Sequence, residues 1–422
     1  MISIIIILII EGFAFFFINQ IFDLTLVDYQ IASSLLLSLN TIVFVFLLGK
    51  YTRNKAEYII LIFAYFMRII LLYWDMYGSH IFSLPNSGLD SEMFHRNAVN
   101  FSQGLSEGRG GSYSIFLGSI YSLFGEQRII GQYINLLFGM FTIILLKKIL
   151  ENIIKNKEVY LKVLIIISFL PNFIVMNVIL LRESIIIFLV TFSLYFFLKW
   201  WKRGSLKKLT YALLLPIIAS IFHSGSIAVL LSYIIIMTFY DRKKHRFKFN
   251  LKTLLYGLFG IIFFYILNTL FSDLLFVKIN SINSATELNK TVQSYTDGDS
   301  AYLETLETSN PIIMILLTPI RMFYFIASPL PWDWRGFSDI FAFIFSSSFY
   351  LLTMFYGFKA LNVKENKYKN LNIALIIMAL VTMFFFSWGV ANTGTALRHR
   401  EKFLAIYAIL FAVSYIRLKK IV

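Results

Sequence analysis

Apolar runs near twenty residues long recur throughout this chain, separated by short polar breaks. No other feature constrains the fold as strongly. A hydrocarbon core about 30 Å thick takes roughly 20 apolar residues per helical crossing. Of 422 residues 58% are hydrophobic and only 14% charged, more apolar surface than a soluble globule of this size can hide. The expected fold class is therefore all-α: a polytopic membrane protein, with residues 1–422 forming one transmembrane domain.

Crossings are expected at 2–22, 30–49, 57–76, 127–148, 160–180, 183–201, 206–222, 224–240, 252–271, 337–358, 371–390 and 401–418. The opening "MISIIIILIIEGFAFFFINQ" has no basic n-region and no small-residue cleavage site, so it reads as a retained span rather than a signal peptide. Basic clusters follow alternate spans: Lys50/Arg53/Lys55, Lys147 to Lys157, Lys199 to Lys208, Arg242 to Lys252, Lys359 to Lys369, and Arg417/Lys419/Lys420. Under the positive-inside rule this alternation gives twelve crossings with both termini cytoplasmic. These loops hold most of the Lys and Arg behind the net charge of +15, so the bilayer is the expected partner and no nucleic acid is implied. Without cysteine there is neither a disulfide nor a thiolate metal site. Heavy use of Ile, Phe, Lys and Asn points to an AT-rich bacterial genome, and hence to a bacterial cytoplasmic membrane.

Two segments depart from the pattern. Residues 311–330, "PIIMILLTPIRMFYFIASPL", are apolar but carry Pro319 and Arg321 centrally, and counting them as a span would turn the Lys359–Lys369 loop outward. They are expected to be re-entrant or to lie on the outer face, as broken elements do beside a cavity. Residues 113–124 are expected to behave alike. The long outer connections 77–126 and 272–336 form an extracellular cap. Within the first, Met93, Phe94, Ala98 and Phe101 recur at helical spacing, the pattern of an interfacial amphipathic helix.

The alternation was set by the basic loops, yet it collects unusual polar residues on the opposite side. They are Asp90, Glu92, His95 and Arg96 in the first long loop, Arg182 and Glu183 at a tight turn, and His223 in "FHSGS". Arg321, Asp333 and Arg335 follow, with Arg398, His399 and Arg400 in "ANTGTALRHREKF". Ionisable groups at membrane depth face a cavity or a partner. Guanidinium pairs bidentately with phosphate oxygens, so Arg182, Arg321, Arg398 and Arg400 together suggest a lipid phosphate or diphosphate.

"DSEMFHRNAVNFSQG" followed by "IYSLFGEQRIIGQYINLLFGMFTIILLKKI" resembles the region after the first core span of GT-C membrane glycosyltransferases. "LPNFIVMNVILLRESIIIFLVTFSLYFF", with "FHSG" beyond it, resembles polysaccharide polymerases of the Wzy and EpsG type, and "GTALRHR" is similar to their late outer loop. The resemblance covers roughly residues 85–240 and 390–405; two extra spans precede the presumed core. It implies an enzyme that builds or polymerises a cell-surface polysaccharide from a polyprenyl-(di)phosphate-linked saccharide donor at the extracellular face. Donor, acceptor and other polysaccharide-assembly proteins are the expected partners. Some GT-C branches use a divalent cation; this sequence requires none.

In that reading Asp90 is the general base, with Glu92 in reserve. Arg182, Glu183, His223, Arg321, Arg398, His399 and Arg400 bind the substrate and its phosphate. Each has a plainer reading. Ser87 and Asp90 have capping-box spacing, and a carboxylate in a first helical turn favours the dipole. Glu183 and Arg182 fit a helix start, His223 a turn, and Arg398 with Arg400 an interface anchor. For the last pair to share a face, the backbone there must be extended or the helix not yet begun. The histidines are scattered and "DGD" at 297–299 is too short for a calcium loop, so no metal site is expected. "GRGGS" at 108–112 follows no strand and reads as a loop rather than a phosphate cradle. The alternative, a lipid-linked oligosaccharide flippase or polysaccharide transporter, calls for pseudo-symmetric halves, and no internal repeat is visible. A scaffold would not need buried arginines.

Overall fold

The computed structural model describes residues 26–105, 110–248, 311–363 and 368–419, with single positions within 251–262 and 301–303. The expected span 2–22, nearly all of 252–271, the loop 272–300 with "DGD", and part of "GRGGS" lie outside the described residues. Regular structure among the described residues is helical, apart from a two-residue ribbon pairing Tyr240–Asp241 with Arg246–Phe247. The fold class is all-α, with helices suited to a membrane.

Helix α1 spans Leu26–Tyr51 and α2 spans Lys55–Tyr73. Between them Asn54 caps α2, accepting from the Glu57 amide at 3.0 Å, while the Glu57 carboxylate accepts from the Arg53 amide and Asn54 Nδ2. That reciprocal exchange satisfies orphan donors at the helix start. A π turn, Trp74–Gly78, prolongs α2. Then come α3 (Leu89–Ser102), α4 (Ser112–Phe124), α5 (Arg128–Ile153), α6 (Lys157–Phe169), α7 (Pro171–Val178), α8 (Glu183–Arg203), α9 (Leu206–Phe222) and α10 (Ile227–Phe239). The chain continues through α11 (Pro311–Ala327), α12 (Phe337–Ala342), a π turn at Phe343–Ser347, α13 (Ser348–Leu361), α14 (Lys369–Ser387), α15 (Thr393–Glu401) and α16 (Leu404–Lys419).

Among the described residues six helices are long and apolar enough to cross a bilayer: Ser33–Tyr51, Lys55–Gly78, Arg128–Ile153, Glu183–Arg203, Phe337–Leu361 and Lys369–Ser387. The expected span 160–180 falls on a pair, α6 and α7, that is bent by 49° and apolar enough to make one broken span. Pro171 explains the break, because it lacks a donor and forces Leu170 out of helical geometry (ψ 115°). Expected spans 206–222, 224–240 and 401–418 fall on α9, α10 and α16, which have 17, 13 and 16 residues.

One expectation is corrected. Residues 311–327 form one helix that continues through Pro319 rather than a broken element. Its packing against α14, α15 and α13 holds the helix where propensity alone would break it. Residues 112–124 form an ordinary helix packed on α3. Gly118 permits that approach: a Cβ there would lie 2.8 Å from the Ala98 carbonyl oxygen.

Packing divides the chain into two units, residues 1–144 with 164–169 and 173–185, and residues 145–163 with 170–172 and 186–422. Within the second, loops join in two sets. Tyr368 donates to the Ile153 carbonyl at 2.9 Å, Arg242 to Trp200 at 3.0 Å, and Asn370 to His245. Those are all basic connections. His223 meets His399, Arg400 reaches Ile326 and Ser328, and the Tyr302 amide donates to Ala391. Those are connections the charge pattern assigns to the other side.

Candidate functional site

The sequence-derived candidates fall into both units: Asp90, Glu92, Arg182 and Glu183 in the first, His223, Arg321, Arg398, His399 and Arg400 in the second.

The first unit is organised by a polar stripe on α5. Arg128, Gln132, Asn135 and Gly139 follow one another at four, three and four residues, so they line one helix face. Between α7 and α8 the backbone unwinds over 179–182, freeing carbonyls that a helix would have satisfied. Gln132 Nε2 donates to the Val178 oxygen at 3.0 Å, and Asn135 Nδ2 to Ile179 and Leu181 at 2.9 and 2.8 Å. The stripe thus closes the break and fixes Arg182 and Glu183 behind it. At the far end Gly139 leaves room for Asn177, whose Oδ1 would be 2.0 Å from an added Cβ. Asn177 accepts from Arg68 Nε at 3.0 Å, and Arg68 also donates to the Ser168 carbonyl beside the α6–α7 bend.

The near end of the stripe is ionic. Arg128 pairs with Glu92, and its Nη2 lies 3.5 Å from Asp75 Oδ2 and 3.3 Å from Ser91 Oγ. Gln132 Nε2 donates to the same Asp75 oxygen at 2.6 Å. Side-chain exposure falls from 57% at Glu92 through 17% at Arg128 to 0% at Asp75, so the row leads from the surface inward. Asp75 Oδ1 and Gln132 Oε1, both buried, meet no donor among the described residues. Buried acceptors are normally satisfied, and two in adjoining side chains suit a molecule that brings hydroxyl donors. Asp75 sits in the π turn, an irregularity that recurs at functional sites.

Asp90 occupies the first turn of α3, half-buried. The capping box expected of Ser87 and Asp90 is corrected: the cap is Gly88, whose amide donates to Ser91 Oγ at 3.1 Å. At φ 148° that position favours glycine. His95 Nδ1 lies 2.9 Å from the Tyr121 hydroxyl, joining α3 to α4. Burial, then the Arg128 charge, holds the His95 imidazolium below its ordinary pKa, against Glu92 and Glu126. Arg182 places its guanidinium 5.8 Å from the Phe94 ring centre, and Glu183 is buried at the start of α8.

In the second unit α15 carries the basic triplet. Asn392 caps it, accepting from the Gly394 and Thr395 amides at 2.9 and 3.4 Å. The helix therefore begins at Thr393 and includes all three residues, overturning the extended backbone expected there. Arg398 and Arg400 diverge in consequence. Arg400 is fully buried: Nη1 donates to the Ile326 and Ser328 carbonyls, both at 2.8 Å, and Nη2 to Ser346 and Ser347 at 2.9 and 3.0 Å. Its fork is spent on the chain, so Arg400 is a clamp rather than a phosphate ligand. Arg398 is half-buried. Glu401, also buried, accepts from Asn172 at 3.1 Å and Ser346 at 3.3 Å.

His399 and His223 face each other, Nε2 to Nε2, at 3.1 Å, with the Phe386 ring stacked on His223. One must donate and the other accept, so a single proton lies between them. Gly225 gives this contact its room, since a Cβ there would lie 2.6 Å from Phe386. Arg321 sits over Trp388, 4.6 Å from the ring centre, and Trp388 Nε1 donates to Thr318 Oγ1 at 3.1 Å. Among the described residues no three His, Asp or Glu side chains converge as a metal site would need.

Sequence reasoning missed Asp75, Arg128 and Gln132. The signal was available as a polar stripe at helical spacing on α5, preceded by a carboxylate at the end of an apolar run. No protein-family model, curated protein or solved structure matches this chain.

Proposed function

We propose that the protein is an integral-membrane glycosyltransferase with a GT-C-like, twelve-crossing layout. It would use a polyprenyl-(di)phosphate-linked saccharide at the outer face of a bacterial cytoplasmic membrane to build a surface polysaccharide. The observation that carries this reading is the pair of buried acceptors, Asp75 Oδ1 and Gln132 Oε1, beside Arg128. In the reaction an acceptor hydroxyl attacks the anomeric carbon, the bond from that carbon to the phosphate oxygen breaks, and the phosphate leaves with the electron pair. Asp75 takes the hydroxyl proton, with Arg128 balancing its charge; Asp90 and Glu92 are the reserve carboxylates. Within the first unit Arg182 is the cation assigned to the phosphate; Arg321, Arg398, His223 and His399 are substrate-binding candidates of the second unit. Stabilising the departing anion is then the larger part of catalysis.

The rival is a flippase for the same lipid-linked saccharide. The bend at Pro171 and the unwound link before α8 favour it, because transporters bind substrate at interrupted helices. The test uses purified protein in proteoliposomes with a labelled polyprenyl-diphosphate oligosaccharide. A glycosyltransferase lengthens the saccharide and releases polyprenyl diphosphate, and Asp75→Asn lowers that rate by about 10² or more. Translocation of intact substrate without a new glycosidic bond would establish the flippase and end the enzyme reading.

A further inference from the structure

Away from those residues, the ends of α5 and α8 flank an open cavity of about 210 Å³. It is lined by Ile149, Asn152 and Ile153 from α5, and by Tyr195, Leu198, Lys199, Lys202 and Arg203 from α8. All lie in the second unit. Spacings of three and four residues put each set on one helix face, so two stripes meet as an apolar wall and a cationic rim. Lys199 Nζ lies 4.2 Å above the Tyr195 ring centre, which holds the ammonium at the mouth.

Among the described residues no carboxylate pairs with Lys199, Lys202 or Arg203. The neighbouring Glu151 is engaged by Lys147 at 2.6 Å. Basic residues in a last helical turn complement the dipole and mark a cytoplasmic loop. Neither role requires an apolar wall beneath three cations. That combination matches a molecule with an anionic head and a hydrocarbon tail. The volume is below the roughly 300–1,000 Å³ of pockets that take drug-sized ligands. It suits a headgroup phosphate with the first methylenes of a chain.

We propose that this cavity is a binding site for one anionic phospholipid of the leaflet the basic loops face, its phosphate held by Lys199, Lys202 and Arg203 and its chain against Ile149, Ile153 and Leu198. Basic pockets between spanning helices recognise anionic headgroups in this way. The inference is independent of the glycosyltransferase reading and stands or falls without it.

The probe is native mass spectrometry of full-length protein released from mixed micelles with phosphatidylglycerol, phosphatidylcholine, or phosphatidylglycerol plus excess inorganic phosphate. Wild-type protein should retain one phosphatidylglycerol in preference to phosphatidylcholine. The triple variant Lys199→Gln, Lys202→Gln, Arg203→Gln should retain about tenfold less or lower still. Lys207 and Lys208 remain to orient the loop. Leu198→Trp keeps every cation but fills the wall, and it should lower retention too, which serves where the triple variant inserts poorly. Equal retention of the two lipids, or wild-type retention by both variants, would overturn the site. Displacement by inorganic phosphate would reduce it to a free-anion site, and so overturn the lipid assignment.

Discussion

At the scale of single residues, Arg398 and Arg400 show how little identity says without direction. Two positions apart on a helix of 3.6 residues per turn, they point about 200° apart. Arg400 therefore enters the interior, where its fork ties α15 to the end of α11 and to the π turn before α13. Lysine keeps the charge but not the fork, and hydrogen bonds from a charged group are worth about 1.5–3 kcal/mol each. Arg400→Lys should thus destabilise the protein by about 2–4 kcal/mol, seen as a lower thermal midpoint in detergent. Arg398→Lys should leave that midpoint in place and, if Arg398 grips phosphate, cut product formation about tenfold or more. A wild-type midpoint for Arg400→Lys would remove the clamp. The sequence showed three basic residues together but not which one turns inward. That choice depends on the Asn392 cap, whose two amide bonds start the helix at Thr393 despite a glycine and two threonines of low helix propensity.

At the scale of elements, apolar helices were readable because bilayer thickness and backbone satisfaction leave few alternatives. Reading failed where packing overruled local preference. Pro319 signalled a break, yet α11 continues through it, buttressed by α13 to α15. Asp75, by contrast, was hidden inside a stretch counted as apolar, and its partners lie 53 and 57 residues away on α5. No local pattern links residues so far apart. Helix α3 was foreseen as amphipathic, but not its latch to α4 between His95 and Tyr121. Because the folded His95 pKa lies below the unfolded value, the unfolded chain binds more protons between the two. The latch is then at full strength above about pH 6.5 and weakens as pH falls below it. Hydrogen exchange of α3 and α4 amides should be faster at pH 5.5 than the intrinsic pH dependence allows, and His95→Gln should abolish that excess. An unchanged excess in His95→Gln would place the pH response elsewhere.

At the scale of the whole molecule, the contacts among connections carry topological information that no single helix holds. Basic connections bond to one another through Tyr368, Arg242 and Asn370, while those bearing His223, Arg400 and Tyr302 bond among themselves. Hydropathy and charge had assigned the same two sets to opposite faces without reference to any contact. Which set faces the cytoplasm is a question for labelling, and a chain without cysteine gives no background. Single cysteines at the exposed positions Gln103 and Trp332 should react with a membrane-impermeant maleimide on intact cells. At the exposed Lys207 and Lys244 they should react only after permeabilisation, since positively charged loops stay inside. Complete inversion of that pattern would preserve the sorting but turn the candidate residues toward the cytoplasm, and the outer-face donor would fall with it. Mixed labelling is the more damaging result. If Trp332 and Lys244 reacted from the same side, an odd number of crossings would be wrongly placed between them. The proposed twelve-crossing layout, and with it the gathering of Arg321, Arg398 and His223 on one face, would have to be redrawn.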